Sequence, residues 1–469
     1  MKLYEAYADE LAYSIREGVL KPGDRLPSVR QASASRGVSP STVFEAYYLL
    51  EARGLIRARE RSGYFVLPGA KTLLPEPQGQ ADADTGSLAV DVSQLVFDIL
   101  ESAKVRDVVP FGSAFPSPML FPFQRLGRSL AASAAAMDPW SSVDDISPGS
   151  ASLRRQIALR YLADGMHVHT DDIVIVNGAL EGLNLSLQLV AKPGDAVVVE
   201  SPAFYGALQA LESHGLRAIE VPVRPREGMD LEALQLALDR HQPKACWLMS
   251  NFQNPVGSLM PDEKKEVLVT LMAERGVPII EDDVYGELYF GNRRPLPLKA
   301  WDKAGMVLHS SSFSKCLAPG YRIGWTIAGK YGKELARLKT MRSLSASAPA
   351  QAALADYLVK GGYDKHLRQL RHALADQQAA MLDAVARHFP KGTRATRPDG
   401  GYFLWVELPG NVDALELQRR ALSLGISVAP GPMFSSQRAF RSFVRLNYGH
   451  PWTARSEAAI ATLGRLARA

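Results

Sequence analysis

In an open α/β sheet, ligands collect just beyond the ends of buried strands, so reactive side chains that follow short apolar runs come first. Four such places occur in order along this chain. Asn177-Gly178-Ala179-Leu180 follows the run Ile173 to Val176, and Asn254-Pro255-Val256-Gly257 follows Ala245 to Met249. Asp282-Asp283-Val284-Tyr285 follows Val277 to Ile280 and sets two carboxylates at a sheet edge. Ser310-Ser311-Ser312-Phe313-Ser314-Lys315 then ends in a lysine, with Arg322 seven residues on. Singly, each has an ordinary explanation. The first is a tight turn, or a set of amides that holds a phosphate at a helix N-terminus. The second alone is only a turn, and a lysine among serines is ordinarily a solvated surface residue. The ordered combination outweighs those separate readings.

The elements that must position these residues are legible from periodicity. The runs before them, with Ala196 to Val199, are short and continuously apolar, as suits strands buried on both faces of a largely parallel sheet. Helical patterns at Leu180 to Val190 and Pro261 to Arg275 separate them. A long charged helix, about 367–388, precedes two more strands, Tyr402 to Leu408 and Phe443 to Tyr448. A large α/β layer followed by a smaller α+β part is the simplest architecture.

The ordered set resembles the pyridoxal-phosphate enzymes of aminotransferase fold type I over residues 95–469, with a large lobe near 145–345 and a small lobe from 95–144 and 346–469. The resemblance implies that Lys315 forms a Schiff base with the cofactor aldehyde. Asp282 would keep the pyridine nitrogen protonated, Tyr285 and Asn254 would hydrogen-bond the ring hydroxyl, and Phe204 would stack on the ring face. Phe204 is preferred over Tyr205 by its offset from Pro202. Arg322, Ser312, Ser314 and the Gly178 and Ala179 amides would neutralise the phosphate. Arg445, preferred over Arg441 for its strand context, would grip a substrate α-carboxylate. Two departures from the family's habit are Ala179, where many members supply a hydroxyl, and Phe204 in place of the more usual tyrosine. Cys316 reads as packing.

The first seventy residues have a different texture. Leu3, Tyr7, Leu11 and Ile15 recur every four residues, as on one face of a helix. Ser28 can cap a second helix that stops at Gly37, and Ser39-Pro40 begins a third that Gly54 closes. Two short strands flank Arg61-Ser62-Gly63. Three helices and a hairpin in that order make a winged helix-turn-helix over 1–70, followed by a proline-, glycine- and acid-rich linker over 71–94 that reads as flexible. Lys21-Pro22-Gly23-Asp24-Arg25-Leu26-Pro27-Ser28-Val29-Arg30 with Gly37-Val38-Ser39-Pro40-Ser41-Thr42-Val43 resembles the GntR-type winged helix. The whole chain is similar to the MocR subfamily, in which such a head is fused to an aminotransferase-like body. By that resemblance Arg25, Ser28 and Arg30 lie at the DNA, and Ser39, Ser41 and Thr42 open the helix that enters the major groove. Arg57, Arg59 and Arg61 would load the wing. Pro40, where an arginine is common, and Glu45 depart from the pattern.

Composition bounds the rest. The 469 residues carry 54 Lys and Arg against 49 Asp and Glu, a net +5 too dilute to imply nucleic-acid binding by itself. The head holds ten cationic and eight acidic residues, a net of only +2. A head so weakly charged should need a second copy on the same site, and the resemblance likewise implies a homodimer. Two distant cysteines make no disulfide framework, and His167 and His169 read as a solvated loop, so no metal site is expected. Neither a signal-peptide core nor a membrane span is visible, and a cytoplasmic protein is the expectation. The leading functional expectation is a pyridoxal-phosphate-dependent transcription regulator that binds double-stranded DNA and responds to an amino compound or to the cofactor. A metabolic aminotransferase with an accessory winged helix is the alternative, and a lyase or decarboxylase a third.

Overall fold

Sequence patterning at the N-terminus predicts three helices and a hairpin, and the computed structural model has them. It describes residues 3–16, 19–21, 23–52, 55–59, 63–66, 74–77, 86–102, 107–144, 146–410 and 412–468. The head comprises α1 (Leu3–Arg16), α2 (Val29–Arg36), α3 (Pro40–Ala52) and an antiparallel hairpin of β1 (Ile56–Arg59) and β2 (Gly63–Val66). Tyr7, Leu11 and Ile15 meet Val43, Tyr47 and Leu50 in a small separate core. Leu3, expected on the same face, is 72% exposed and lies outside that core. The Tyr47 hydroxyl donates to the Pro27 carbonyl at 2.8 Å, tying α3 to the segment that leads into α2. Ser28 and Gln31 form a reciprocal capping box on α2, and Gly37 closes that helix in the left-handed region, φ 66°. Ser39 Oγ accepts from the Thr42 amide at 3.2 Å, so the expected cap on α3 is present.

The body is built on one large sheet. Its strands run, in spatial order, Leu88–Ala89, Arg217–Arg224, Ala196–Ser201, Ala245–Leu248, Ile279–Asp282, Val307–Ser312, Gly324–Ile327 and Ile173–Val176. Five neighbours from Arg217–Arg224 to Val307–Ser312 are parallel, and Gly324–Ile327 runs antiparallel to both its partners. Apolar residues on both faces of these strands make two cores, one under Trp247 and Ile280 and the other under Cys246 and Ile279. A smaller antiparallel sheet orders Arg394–Ala395, Phe403–Glu407, Phe443–Asn447 and Ala429–Pro430. The long helix Tyr363–His388 packs on the C-terminal helix Ala454–Leu466.

Within the stretch expected as a linker, two described pieces are docked. The Pro75 carbonyl accepts from the Ala395 amide at 3.0 Å, and Glu76 pairs with Arg226 at 2.8 Å. Leu88–Ala89 adds an edge strand to the large sheet, and the Glu212 carboxylate accepts from the Val92 and Ser93 amides at 2.9 Å. Backbone groups and carboxylates make these attachments, and Val90 and Val92 are buried in the main core, so the polar composition there does not imply freedom.

Ser28→Ala should cost the head about 1 kcal/mol, the usual worth of such a cap. Amide hydrogen exchange in α2 of the full-length chain should speed up about fivefold while the large sheet is unchanged. Equal protection in both proteins would remove the cap from the account.

Candidate active site and nucleic-acid interface

Three consecutive acids, Glu281, Asp282 and Asp283, end the central strand, and all are buried. Burial of an ionised carboxylate is costly unless it is paired. Glu281 meets His309 Nδ1 at 2.7 Å, accepts from Ser250 and from the Leu298 and Lys299 amides, and is held below the usual carboxylate range. Asp283 pairs with Arg294 at 2.8 Å and accepts from Asn251. Among the described residues Asp282 has no such cation in contact, and its Oδ1 finds no hydrogen-bond partner. Desolvation pushes its pKa up to about 7, helped by the charge of Asp283 and opposed by the Val284 amide and by Lys315.

Lys315 lies three residues beyond Val307–Ser312, the strand whose Ser310 is in register with Asp282. Its Nζ donates to the Ala114 carbonyl at 3.0 Å and sits 3.7 Å from the centre of the Phe115 ring. Desolvation lowers its pKa to about 7, with Arg445 and Arg322 adding to the effect and Asp282 opposing it. A lysine poised there is a nucleophile at neutral pH, unlike an ordinary surface amine.

Around this pair the other expected residues converge. Asn254 is fully buried, its Oδ1 accepts from Arg445 Nη1 at 3.0 Å, and its Nδ2 has no partner among the described residues. Tyr285 is buried edge-on to Tyr402 at 5.4 Å. Phe204 stands at the N-terminus of the helix Tyr205–Ser213, while Tyr205 turns inward to hydrogen-bond Arg445. Arg445 is fully buried, with its guanidinium 4.1 Å from the Phe403 ring centre, and donates to the Gly112 and Ser113 carbonyls at 2.8 and 3.1 Å. Arg441, its competitor in the sequence, lies at the surface paired with Asp413 at 2.8 Å.

A second cluster has the makings of an anion cradle. Gly178, at φ 79°, opens the helix Ala179–Val190, and the Arg322 guanidinium lies so close that a Cβ there would come within 2.4 Å of Nη2. Arg322 donates to Ser314 Oγ at 3.2 Å, and the Ser314 amide donates to Ser312 Oγ at 3.3 Å. Arg322 itself holds φ 54°, the left-handed region that a non-glycine residue adopts only under local constraint. Helix-terminal amides, two hydroxyls and a guanidinium suit a phosphate.

Sequence reasoning missed the strap formed by residues 112–116. Asn447 Nδ2 holds the Ser113 and Phe115 carbonyls at 2.9 and 2.8 Å, and the Tyr402 hydroxyl donates to the Ala114 carbonyl at 3.1 Å. A Gly-Ser-Ala-Phe-Pro run has no periodicity to announce it. Cys316 is buried with its Sγ 3.1 Å from the Tyr363 hydroxyl, and burial pushes its thiol up to about 12.

In the head, Arg25 and Arg30 are exposed, and the Ser39 hydroxyl lies 2.8 Å from those of both Ser41 and Thr42 at the start of α3. The Ser28 hydroxyl is engaged in its cap. Arg61 and the side chain of Arg59 lie outside the described residues. Arg57, expected to load the wing against DNA, instead makes an ion pair with Asp376 of the body. A carboxylate on the neighbouring surface captures the guanidinium that the wing sequence offers to phosphate.

Comparison with known proteins joins the two halves. Residues 3–66 match the family of bacterial regulatory proteins called gntR, and residues 131–461 match aminotransferase class I and II. The chain is 49% identical to an uncharacterized HTH-type transcriptional regulator, YdcR of Escherichia coli, over 99% of both chains. It is 37% identical to a second such regulator of that organism, YjiR, over 99% of this chain and 98% of that one. The chain belongs to the MocR subfamily of GntR-type regulators. Among solved structures the regulator's body resembles LysN, an α-aminoadipate aminotransferase of Thermus thermophilus complexed with N-(5'-phosphopyridoxyl)-L-leucine. That match has a TM-score of 0.71 at 31% identity and covers 80% of this chain and 93% of that one. A kynurenine aminotransferase of Pyrococcus horikoshii matches with a TM-score of 0.73 at 28% identity, over 80% and 94%. The body is thus a fold type I aminotransferase domain, and pyridoxal 5'-phosphate is the cofactor of that fold. The residues present fit it. The buried Asp282 Oδ1 and Asn254 Nδ2 are an acceptor and a donor without partners among the described residues, alongside a lysine of lowered pKa and an anion cradle.

Gly178→Ala should force Arg322 out of the cradle and weaken pyridoxal phosphate binding at least tenfold, as read by titration of visible absorbance in the full-length protein. The rate at which the cofactor-free chain attaches pyridoxal phosphate covalently should rise with pH and level off above about 7, where the Lys315 amine is already neutral. A rate still climbing at about pH 10, the range of an ordinary lysine, would contradict the lowered pKa.

Proposed function

We propose that the regulator senses an amino compound, or pyridoxal phosphate itself, through covalent chemistry at Lys315, and that the outcome sets how tightly paired winged helices hold double-stranded DNA. The observation that carries this reading is Asp282, the one member of a buried acidic triplet with a carboxylate oxygen left without a hydrogen-bond partner among the described residues, near a lysine lowered to about 7 in a chain that also carries a DNA-binding head. When bound, the cofactor supplies an electrophilic carbon and an electron-withdrawing ring. The protein's residues do the rest. Asp282 would hold a proton on the ring nitrogen, while Asn254 and Tyr285 position the ring hydroxyl and Phe204 covers a ring face. Ser312, Ser314, Arg322 and the amides of Gly178 and Ala179 would bind the phosphate. Arg445 would exchange its carbonyl partners for an α-carboxylate. Lys315, titrating near neutrality, can accept and return a proton at Nζ.

In the head, Arg25 and Arg30, with Arg61 on the wing, would meet phosphates, and α3 would enter the major groove behind Ser39, Ser41 and Thr42. Ser28 would contribute by fixing α2. Homodimerisation is supported by Met119, Trp140 and Val143, large apolar side chains that are 84%, 70% and 54% exposed. Among the described residues no helix is long and apolar enough to cross a membrane. A metabolic aminotransferase is the second reading, favoured by the buried Arg445 and by the likeness to LysN.

Lys315→Ala should lose the visible absorbance that borohydride reduction traps, and ligand-dependent changes in binding to a promoter fragment should vanish with it. An unchanged effector response in that variant would mean that the chemistry is not the signal. Multiple turnover between an amino acid and a 2-oxo acid, without any change in DNA binding, would favour the enzyme.

A further inference from the structure

The head touches the body at elements that lead back to the cofactor site. Arg57, on β1 of the wing, pairs with Asp376 on the long helix Tyr363–His388. Both side chains are about half-buried, at 33% and 45% exposure, so the pair is neither sealed in nor fully solvated. About 15 Å along the same helix, the His366 ring meets the Cys316 carbonyl at 2.7 Å, and Tyr363 meets Cys316 Sγ at 3.1 Å. Cys316 is the residue after Lys315. A second route runs through the segment that follows Tyr285, where Tyr48 of α3 hydrogen-bonds the backbone of Asn292. Arg371 ties the two routes together by donating to the Glu287 carbonyl at 3.2 Å while stacking 4.0 Å over Tyr289.

From this arrangement we propose that Asp376 is an internal competitor of DNA for Arg57, carried on the helix that is anchored beside Lys315. The proposal rests on the regulator reading and names its device. A guanidinium on a wing can serve one anion at a time, either the Asp376 carboxylate or a backbone phosphate. Movement at Lys315 that shifts its neighbour Cys316 acts on the anchored end of the long helix and so on the carboxylate farther along it. The pair as found is the state in which the wing is withheld, and release of Arg57 adds one phosphate contact to each head.

The test uses full-length, cofactor-loaded protein and a duplex selected from a random pool with the wild-type chain. Asp376→Asn keeps the side chain's size and removes the competing charge. It should bind the duplex more tightly at low salt, and the slope of log K against log salt should steepen by about 0.9 for each head on the duplex. Between 50 and 200 mM salt that is about a threefold to fourfold larger loss of affinity per head than in the wild type. Arg57→Gln in the Asp376→Asn background should abolish both changes, and visible cofactor absorbance certifies the fold of each variant. If Asp376→Asn binds as the wild type does, or keeps its gain when Arg57 is also replaced, the competition is overturned and the regulator reading stands. If the wild type selects no duplex, the regulator reading falls and this one with it.

Discussion

Among the described residues Asp282 is buried without a cation in contact while the acids on either side of it are paired, and much of the body follows from that difference. Strand alternation sends Glu281 and Asp283 to one side and Asp282 to the other. Their partners His309 and Arg294 can therefore satisfy two carboxylates without approaching the third. Register does the rest. Asp282 lies opposite Ser310 on the next parallel strand, so Lys315 emerges from the end of that strand on the side of the Asp282 carboxylate. A slip of one residue would exchange the faces, pair the wrong acid and bury two charges without partners. The parallel order of five strands is thus a requirement of the chemistry as well as of the core.

The mutual dependence of Asp282 and Lys315 sets their working range. Each is desolvated towards neutrality, and each resists that shift in the other by its charge. The strap over residues 112–116 adds a further constraint. Its carbonyls occupy Arg445 through Gly112 and Ser113 and Lys315 through Ala114. The carboxylate grip and the reactive amine are thus tied to one short piece of chain.

The sequence made the strands and helices of the body readable because buried parallel strands are unbroken apolar runs and the helices between them are amphipathic. Lys315, Asp282, Arg322 and Asn254 were legible by type and order. What stayed hidden depends on contacts between distant segments. The strap has no periodic pattern, and Tyr402 and Asn447, which hold it, look like ordinary strand residues until the small sheet brings them to Ala114 and Phe115. The docking of Pro75 and Leu88 is made by backbone groups, which composition does not report. The pairing of Arg57 with Asp376 stayed hidden because nothing in the wing reveals a carboxylate more than three hundred residues away.

The Arg57–Asp376 pair bears on how the head can bind DNA at all. Its net charge of +2 already leaves little electrostatic drive, and local pairing removes more. Arg36 is held in a two-pronged contact by Glu10, and Arg57 by Asp376. Arg25 and Arg30 are exposed, and the hydroxyl cluster of Ser39, Ser41 and Thr42 at the start of α3 carries no charge. Non-specific affinity scales with the number of phosphates neutralised, so such a head discriminates poorly between bound and free when alone. Two linked heads multiply a weak contact, because the second binds at the high local concentration that the first creates. A small change in each head, such as one arginine gained or lost, then counts twice on one duplex. A nearly neutral head is in this sense well suited to regulation, since a strongly basic one would stay on DNA whatever happened at Lys315.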